Sequence, residues 1–118
     1  VVVLKGPDTV IAAPDGRAAI NDHASPWLGT AGSGDVLAGA IAGFAARGVT
    51  AKRAAVFGAW CHGRAGDRLS ARLGLGFLAR DLVRELPAAL TEIAPHAARS
   101  ADQDEDHDRD DNPQERNT

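Results

Sequence analysis

Hydrophobic and polar positions divide the chain into a short strand-rich segment and a longer helical segment. Apolar runs at residues 1–4, 9–12 and 18–20 are separated by turn sequences at 5–8 and 14–16, which predicts three short strands. The first run has no polar position, as is typical of a strand buried in a parallel sheet. The Pro-Asp-Gly turn predicts that the second and third strands form a hairpin.

Helical periodicity begins at Asp35. The apolar positions that follow recur at helical spacing and share one face: 36, 37, 40, 41, 44 and 45. Arg47 and Gly48 are expected to end this helix. Because a glycine costs a helix about 1 kcal/mol relative to alanine, we expect Gly39 and Gly43 to permit close packing against sheet backbone or a ligand.

Two further helices are predicted downstream. Thr50 is expected to cap the second helix, which runs to about Arg72 before residues 74–76 break it. The third is predicted over residues 77–86, and Pro87 is expected to open a separate helical turn because proline fits the first helical position. Three strands followed by these helices indicate the closing part of an α/β fold.

Charge is distributed unevenly along the chain, whose net charge is −3. Residues 1–98 carry ten basic and eight acidic side chains, whereas residues 99–118 carry three arginines and eight acidic side chains. The second segment has no apolar residue beyond Ala101, so it cannot bury enough surface to offset its ordering entropy. We therefore predict a partial domain over 1–98 and a disordered acidic tail over 99–118.

Composition argues against several classes of protein. The single cysteine, Cys61, excludes an internal disulfide and fits a reducing compartment, so we expect a cytoplasmic protein in which this thiol is a small buried side chain. No apolar stretch reaches the roughly 20 residues of a membrane span, and no basic stripe carries interleaved aromatic residues. Neither a membrane nor a nucleic acid is expected as a partner. The absence of Met and the uncapped opening strand lead us to expect that the N-terminal part of the domain is missing.

The strongest chemical signal is the glycine-rich loop at residues 29–35, Gly-Thr-Ala-Gly-Ser-Gly-Asp, which leads into a predicted helix. The first N–H groups of a helix lack partners and carry partial positive charge, so they bind anions. Asp35 would lie within reach of a substrate hydroxyl and could accept its proton. The spacing is neither a Walker A loop nor a dinucleotide fingerprint. A phosphate site and a purely structural capped turn therefore both stay open at this point.

Lys5 and Thr9 flank the turn that follows the first strand. Ligands of α/β sheets bind beyond the carboxyl ends of strands, so both side chains are placed to meet a phosphate or nucleotide. An ordinary solvated turn lysine is the alternative.

Cys61, His62 and Asp67 match no metal-ligand spacing, so no metal site is predicted. Cys61 and His62 are expected to be ordinary helix residues, and Asp67 is expected to pair with Arg64 or nearby backbone.

Several separate segments together resemble the C-terminal portion of the ADP/ATP-dependent NAD(P)H-hydrate dehydratases, which are ribokinase-like enzymes that repair hydrated nicotinamide cofactors. The resemblance covers about residues 1–93 and implies the C-terminal fragment of a three-layer α/β/α fold. The segments that carry it are Val3-Leu4-Lys5-Gly6, Thr9-Val10-Ile11, Pro14-Asp15-Gly16, residues 26–39, His62-Gly63-Arg64-Ala65-Gly66-Asp67 and residues 81–87.

The resemblance also implies a role for each matching residue. It places the nucleotide-binding turn on Lys5, Gly6, Pro7, Asp8 and Thr9. It adds three nucleotide-binding loop residues: Gly32, Ser33 and Gly34. Asp35 would contact the hydrated nicotinamide and act as the catalytic base.

The reaction implied by the resemblance is a nucleotide-driven dehydration. The hydroxyl of hydrated NADH or NADPH, deprotonated by Asp35, attacks the terminal phosphoryl of ADP, or of ATP in some members, while Mg²⁺ shields the phosphates. Elimination of phosphate then restores the dihydronicotinamide. The resemblance is compatible with assembly into a homo-oligomer. It is also compatible with an epimerase domain that precedes this segment in the same parent chain.

Two alternatives to the dehydratase are considered. The first is a ribokinase-like small-molecule kinase acting on a hydroxymethylpyrimidine or hydroxyethylthiazole, in which the same base yields a stable phosphorylated product. The second is a degenerate nucleotide-binding fragment that acts as a sensor or partner domain. The segments at 62–67 and 81–87 favour the dehydratase over the kinase.

Overall fold

A computed structural model describes residues 1–22, 26–74 and 76–107. This part of the chain is a small α/β arrangement, as predicted, in which three strands precede a short 3-10 turn and three α-helices. The elements are β1 (Val2–Leu4), β2 (Thr9–Ala12), β3 (Ala18–Asn21), the 3-10 turn (Pro26–Gly29), α1 (Ser33–Ala46), α2 (Ala51–Leu73) and α3 (Ala79–His107). Within these residues, no helix combines the length and apolar character that crossing a membrane requires.

The three strands form one sheet in the order β1-β2-β3, and both pairings are antiparallel. In the central row of the sheet, Val3 lies opposite Ile11, which lies opposite Ala19. The expectation that β1 belongs to a parallel pairing is therefore wrong for the described strands. Residues 5–8 and 13–17 connect successive strands directly, and connections this short join antiparallel neighbours.

Helices α1 and α2 pack against one face of the sheet. Ile11 is 1% exposed and forms a buried cluster with Leu37 of α1 and with Ala55 and Ala59 of α2. Val3 packs against this cluster from β1. The period-two alternation of a strand explains why these positions face the helices together.

The opposite face of the sheet is exposed. Val2 and Leu4 are each 67% exposed and Ile20 is 66% exposed. The expectation that β1 is a buried strand is thus wrong in this structure, because the described helices cover one face only. Because every residue of β1 is apolar, the strand has apolar side chains on its covered face and on its open face.

Helix boundaries follow the predicted caps closely. Helix α1 begins at Ser33, two residues before the predicted start, and the predicted end is confirmed by Gly48, whose φ is 86°. Thr50 caps α2 by accepting a hydrogen bond from the backbone N–H of Arg53, as predicted. Helix α2 then ends at Leu73, before Gly74.

Close helix packing occurs at glycines other than the predicted ones. A Cβ atom built on Gly39 or Gly43 meets nothing within 4 Å among the described residues, so the expected packing against sheet backbone is wrong for this part of the chain, while packing against a ligand stays a prediction. A Cβ atom on Gly58 of α2 would instead lie 2.5 Å from the Ile41 side chain and 3.1 Å from its backbone. The closest approach of α1 and α2 therefore depends on a glycine of α2.

Helix α3 is continuous through Pro87, so the predicted separate turn is wrong. Proline removes one backbone hydrogen bond and strains a helix interior. Leu82 and Ala89 are both fully buried on either side of it, in one cluster with Phe77. Because most helical stability comes from tertiary packing, this apolar stripe holds α3 together across the proline.

Helix α3 starts at Ala79, and the Asp81 carboxylate accepts a hydrogen bond from the Leu78 backbone N–H at 2.8 Å, in the manner of a capping box. The helix continues to His107, so the segment expected to be disordered begins inside it. A helix without a breaker can extend beyond the part that packs. Residues 108–118 lie outside the described residues, and the division at residue 98 stays a prediction.

A ladder of ion pairs joins α2 to α3. Arg68 bridges Glu85 and Glu92 at 2.6 and 3.1 Å, Arg72 binds Glu85 at 3.0 Å, and Arg64 binds Glu92 at 2.7 Å. Hydrogen bonds from Arg68 and then Arg72 hold the pKa of the buried Glu85 carboxyl below its usual value. The arginines recur every four residues on α2, so they share one face.

Candidate functional site

A cleft of about 610 Å³ lies where the turn after β1 meets the start of the glycine-rich loop and one face of α2. Its volume is within the range of small-molecule sites. Its walls are formed by Lys5, Gly6, Pro7, Thr9, Asn21, Leu28, Gly29, Leu37, Ala59, His62 and Gly63.

Lys5 joins the turn after β1 to the glycine-rich loop. Its ammonium donates to the Leu28 carbonyl oxygen at 3.1 Å and to the Ser33 hydroxyl at 3.0 Å. An ammonium has three donors, so with these two partners among the described residues one donor stays available to an anion in the cleft. The two segments that the sequence assigned to phosphate binding are therefore in direct contact.

Ser33 is a structural anchor of the loop. It is 1% exposed, and its hydroxyl donates to the Leu28 carbonyl while accepting from Lys5. Its own carbonyl oxygen lies 2.8 Å from the Nε2 atom of His62. Because the Ser33 hydroxyl is engaged by Leu28 and Lys5, the predicted contact of Ser33 with a nucleotide would have to be made by its backbone.

At the start of α1, two amides have no protein partner within the part of the chain that the structure describes. Gly32, at a φ of 85°, takes the left-handed conformation that glycine adopts most readily, and its carbonyl accepts from Val36 N–H at 3.2 Å. Among the described residues the amides of Gly34 and Asp35 have no hydrogen-bond acceptor. A Cβ atom on Gly34 would meet nothing within 4 Å, so a ligand atom can approach its N–H directly.

The structure brings together some of the predicted site residues and not others. Lys5, Thr9 and the Gly6-Pro7 segment lie on the cleft wall. Asp8 is exposed and is not part of that wall, and Asp35 is exposed in the first turn of α1. The predicted loop residues Gly32, Ser33 and Gly34 are also not part of the cleft wall, and the loop is joined to the cleft by the hydrogen bond between Ser33 and Lys5. The predicted roles of all these residues stay predictions.

His62 is a cleft residue that the sequence argument did not assign to the site. It is 3% exposed, and burial is the main cause that lowers the pKa of its imidazole, with the nearby Lys5 charge acting in the same direction. In the sequence, His62 follows Ala55 and Ala59 at helical spacing, and both alanines face the sheet. This spacing could have placed His62 on the same face of α2.

The expected roles of neighbouring α2 residues have mixed outcomes. Cys61 is buried, as predicted, and burial raises the pKa of its thiol to about 11. Arg64 pairs with Glu92 rather than with Asp67, because α3 packs along this face of α2. Within residues 1–22, 26–74 and 76–107, no group of three His, Cys, Asp or Glu side chains could hold a metal ion.

Comparison with known proteins places these features in a family. The sequence model of the NAD(P)H-hydrate dehydratase family matches residues 1–88. The chain belongs to this family. The predicted resemblance is therefore confirmed.

Named relatives agree with this assignment. The chain is 49% identical over 94 residues to the ADP-dependent (S)-NAD(P)H-hydrate dehydratase of Xanthomonas campestris, a match that covers 79% of the chain and 32% of the relative. It is 46% identical over 90 residues to the Neisseria meningitidis protein of the same name, which covers 75% of the chain and 29% of the relative. A bifunctional NAD(P)H-hydrate repair enzyme of Moorella thermoacetica is 47% identical over 94 residues, or 79% of the chain and 18% of the relative. The chain thus spans a third or less of the length of these relatives.

Proposed function

We propose that the protein is an ADP-dependent (S)-NAD(P)H-hydrate dehydratase and that this chain forms the nucleotide-binding side of its active site. The observation that carries the proposal is the 3.0 Å hydrogen bond between Lys5 and Ser33. It brings an ammonium donor near the amides of Gly34 and Asp35, which have no acceptor among the described residues. A cation beside a helix N-terminus is the arrangement that binds the phosphates of a nucleotide.

In this proposal, donors fixed in advance stabilise charge on the transferred phosphoryl group. The ammonium of Lys5 and the Gly34 amide bind phosphate oxygens of ADP, while Gly6, Pro7, Asp8 and Thr9 form the turn that contacts the nucleotide. Gly32 and Ser33 hold the loop in the conformation that exposes these donors.

Asp35 is proposed as the base. Its carboxylate accepts the proton of the substrate hydroxyl as that oxygen attacks the terminal phosphoryl of ADP, which releases AMP. Phosphate is a much better leaving group than hydroxide. Its elimination from the phosphorylated hydrate, with loss of a ring proton, restores the dihydronicotinamide. The exposed position of Asp35 in the first turn of α1 leaves room for a large substrate next to the loop.

The three-layer fold implied by the family is also a proposal for this protein. Its support is the open sheet face formed by Val2, Leu4 and Ile20, each about two-thirds exposed. A sheet with helices on both faces buries such a surface. In the complete protein we propose that preceding residues supply the covering layer.

The remaining partners are proposed from the family and its named members. ADP is preferred over ATP because the Xanthomonas and Neisseria relatives are named ADP-dependent. Mg²⁺ is proposed from the family, to shield the phosphates; among the described residues no group of three His, Cys, Asp or Glu side chains could hold a metal ion. An upstream epimerase domain is proposed from the bifunctional Moorella relative. A cytoplasmic location and a homo-oligomer stay predictions.

Product analysis tests this function against the kinase alternative. The protein is assayed both as this chain and as a chimera in which it replaces the matching 94 residues of the Xanthomonas relative. Supplied with hydrated NADH and ADP, the active form should regenerate the absorbance of reduced nicotinamide and release one phosphate and one AMP for each NADH. A stable phosphorylated product without NADH would instead establish a kinase.

A further inference from the structure

His62 is a buried polar side chain for which the proposed chemistry has no role. Its Nε2 atom lies 2.8 Å from the carbonyl oxygen of Ser33, which is 29 residues away in sequence. A carbonyl oxygen can only accept a hydrogen bond, so the imidazole donates and Nε2 carries the hydrogen. The contact ties the middle of α2 to the first turn of α1.

The contact acts on a single peptide unit. The Ser33 carbonyl and the Gly34 N–H belong to the same planar trans peptide, in which the C=O and N–H bonds point in opposite directions. A donor that fixes the carbonyl therefore also fixes the direction of the N–H. The Gly34 N–H has no acceptor among the described residues, and the space beside Gly34 is open.

A second anchor restrains the same residue from its side chain. The Ser33 hydroxyl donates to the Leu28 carbonyl and accepts from Lys5. The glycines on either side, Gly32 and Gly34, have wide backbone freedom by themselves. Ser33 and Gly34 are the first two residues of α1, so these anchors add to the helix in restraining a first turn whose N–H groups lack helical partners.

We propose that His62 is a positioning residue that aims the Gly34 N–H at a phosphate group of the bound nucleotide by holding the Ser33 carbonyl. This inference rests on the proposed function, since it takes the nucleotide phosphate as the acceptor. Burial lowers the pKa of His62 and so favours the neutral imidazole, against the raising effect of its hydrogen bond to Ser33. A neutral imidazole protonated at Nε2 retains the donor and adds no positive charge beside Lys5.

The test compares two substitutions at this position in the full-length protein that carries this chain. His62→Leu removes the donor, whereas His62→Gln places an amide N–H at a similar distance along the side chain. Phe57→Leu is the matched control on the same helix, since Phe57 packs against Phe44 with ring centroids 5.7 Å apart and is not part of the cleft wall. The dissociation constant of ADP is measured by calorimetry, and thermal unfolding and the KM for the hydrate are measured alongside.

We expect His62→Leu to raise the dissociation constant of ADP roughly tenfold, as for one misdirected charge-assisted hydrogen bond. His62→Gln should restore most of the affinity, and Phe57→Leu should lower the melting temperature without changing ADP affinity. An ADP dissociation constant in His62→Leu within twofold of wild type overturns the inference, as does equal weakening in the Leu and Gln variants. Should His62→Leu fail to fold, His62→Asn, whose amide is too short to reach, replaces it in the same comparison.

The readouts separate this inference from the proposed function. If the wild-type protein binds ADP but does not dehydrate the hydrate, the proposed function fails, and the His62 comparison is still decided by ADP affinity. If the wild-type protein does not bind ADP, both are overturned.

Discussion

Replacing Gly66 with alanine should disturb the site through a packing contact. A Cβ atom on Gly66 would lie 2.8 Å from Cδ2 and 2.9 Å from Cγ of Leu28. Leu28 is 6% exposed, so its side chain has little space in which to retreat. The carbonyl of this same residue accepts from both Lys5 and Ser33, so we expect displacement of Leu28 to disturb the two segments proposed to bind phosphate.

The expected stability change is a balance of two opposing effects. Overpacking of a core costs about 1–3 kcal/mol, whereas alanine stabilises a helix by about 1 kcal/mol relative to glycine. At Gly66 the contacts are with side-chain atoms of the buried Leu28 and with no backbone atom, so a small displacement of that side chain suffices and we expect a net loss of about 1 kcal/mol. At Gly58 the contacts include the Ile41 backbone at 3.1 Å, which cannot rotate away, so a net loss of about 2 kcal/mol is expected.

Gly58→Ala is thus the matched control for Gly66→Ala, since both place one methyl group on the same helix. Urea denaturation gives the free energy of unfolding of each variant, and calorimetry gives the affinity for ADP. Gly66→Ala should weaken ADP binding by roughly threefold to tenfold, a change of up to about 1.4 kcal/mol. Gly58→Ala should be the less stable variant but bind ADP as wild type does. A Gly66→Ala protein more stable than wild type, with unchanged ADP affinity, would refute the reasoning.

Three further predictions concern stability and reactivity. Glu85→Gln should destabilise the protein at neutral pH, measured by urea denaturation, because its carboxylate accepts hydrogen bonds from Arg68 and Arg72. Folding lowers the pKa of Glu85, so the carboxylate stabilises the fold above its ordinary pKa of 4.5, and this stabilisation is lost as the pH falls through the lowered pKa of the folded state. The free energy of unfolding of the variant should therefore decrease less steeply in acid than that of wild type. The same decrease in both proteins would contradict this. Thr50→Ala should cost about 0.5–1 kcal/mol in the same measurement, since its cap hydrogen bond is long at 3.4 Å, and no measurable loss would exclude a working cap. The thiol of Cys61, with its pKa raised to about 11 by burial, should react with a disulfide reagent only on unfolding, and rapid reaction of the native protein would disprove its burial.

Local sequence signals predicted the elements because each depends on adjacent residues. The hairpin follows from the Pro-Asp-Gly turn, and the start of α2 follows from the hydroxyl of Thr50. The end of α1 follows from the left-handed conformation of Gly48. Each of these signals depends only on residues a few positions apart, so the element boundaries can be predicted from the sequence alone.

Features that depend on distant neighbours were not predicted. The helix continues through Pro87 because Leu82 and Ala89 are buried on both sides of it, and the faces of β1 differ in exposure because helices pack on one side only. Close packing depends on Gly58 rather than on Gly43, since which glycine meets a neighbour is decided by helix docking.

At the site, the sequence pointed to the two segments proposed to bind phosphate but not to what joins them. The Lys5–Ser33 hydrogen bond and the contact of His62 with the Ser33 carbonyl span 28 and 29 residues. Contacts over such separations cannot be predicted from hydrophobic periodicity or from motif spacing. They follow only once β1, α1 and α2 are packed together.

The central claim is that Asp35 is the base at a nucleotide site formed by this chain, and Asp35→Asn tests it most directly. Asparagine keeps the shape of the side chain and removes its ability to accept a proton as a carboxylate does. The measurement is the rate of NADH recovery from hydrated NADH at saturating ADP, in the full-length protein, with ADP affinity determined in parallel. We expect the rate to fall by at least about 100-fold, as for the loss of a general base, while ADP binds within a few-fold of wild type. A variant that retains the wild-type rate would contradict the assignment of Asp35.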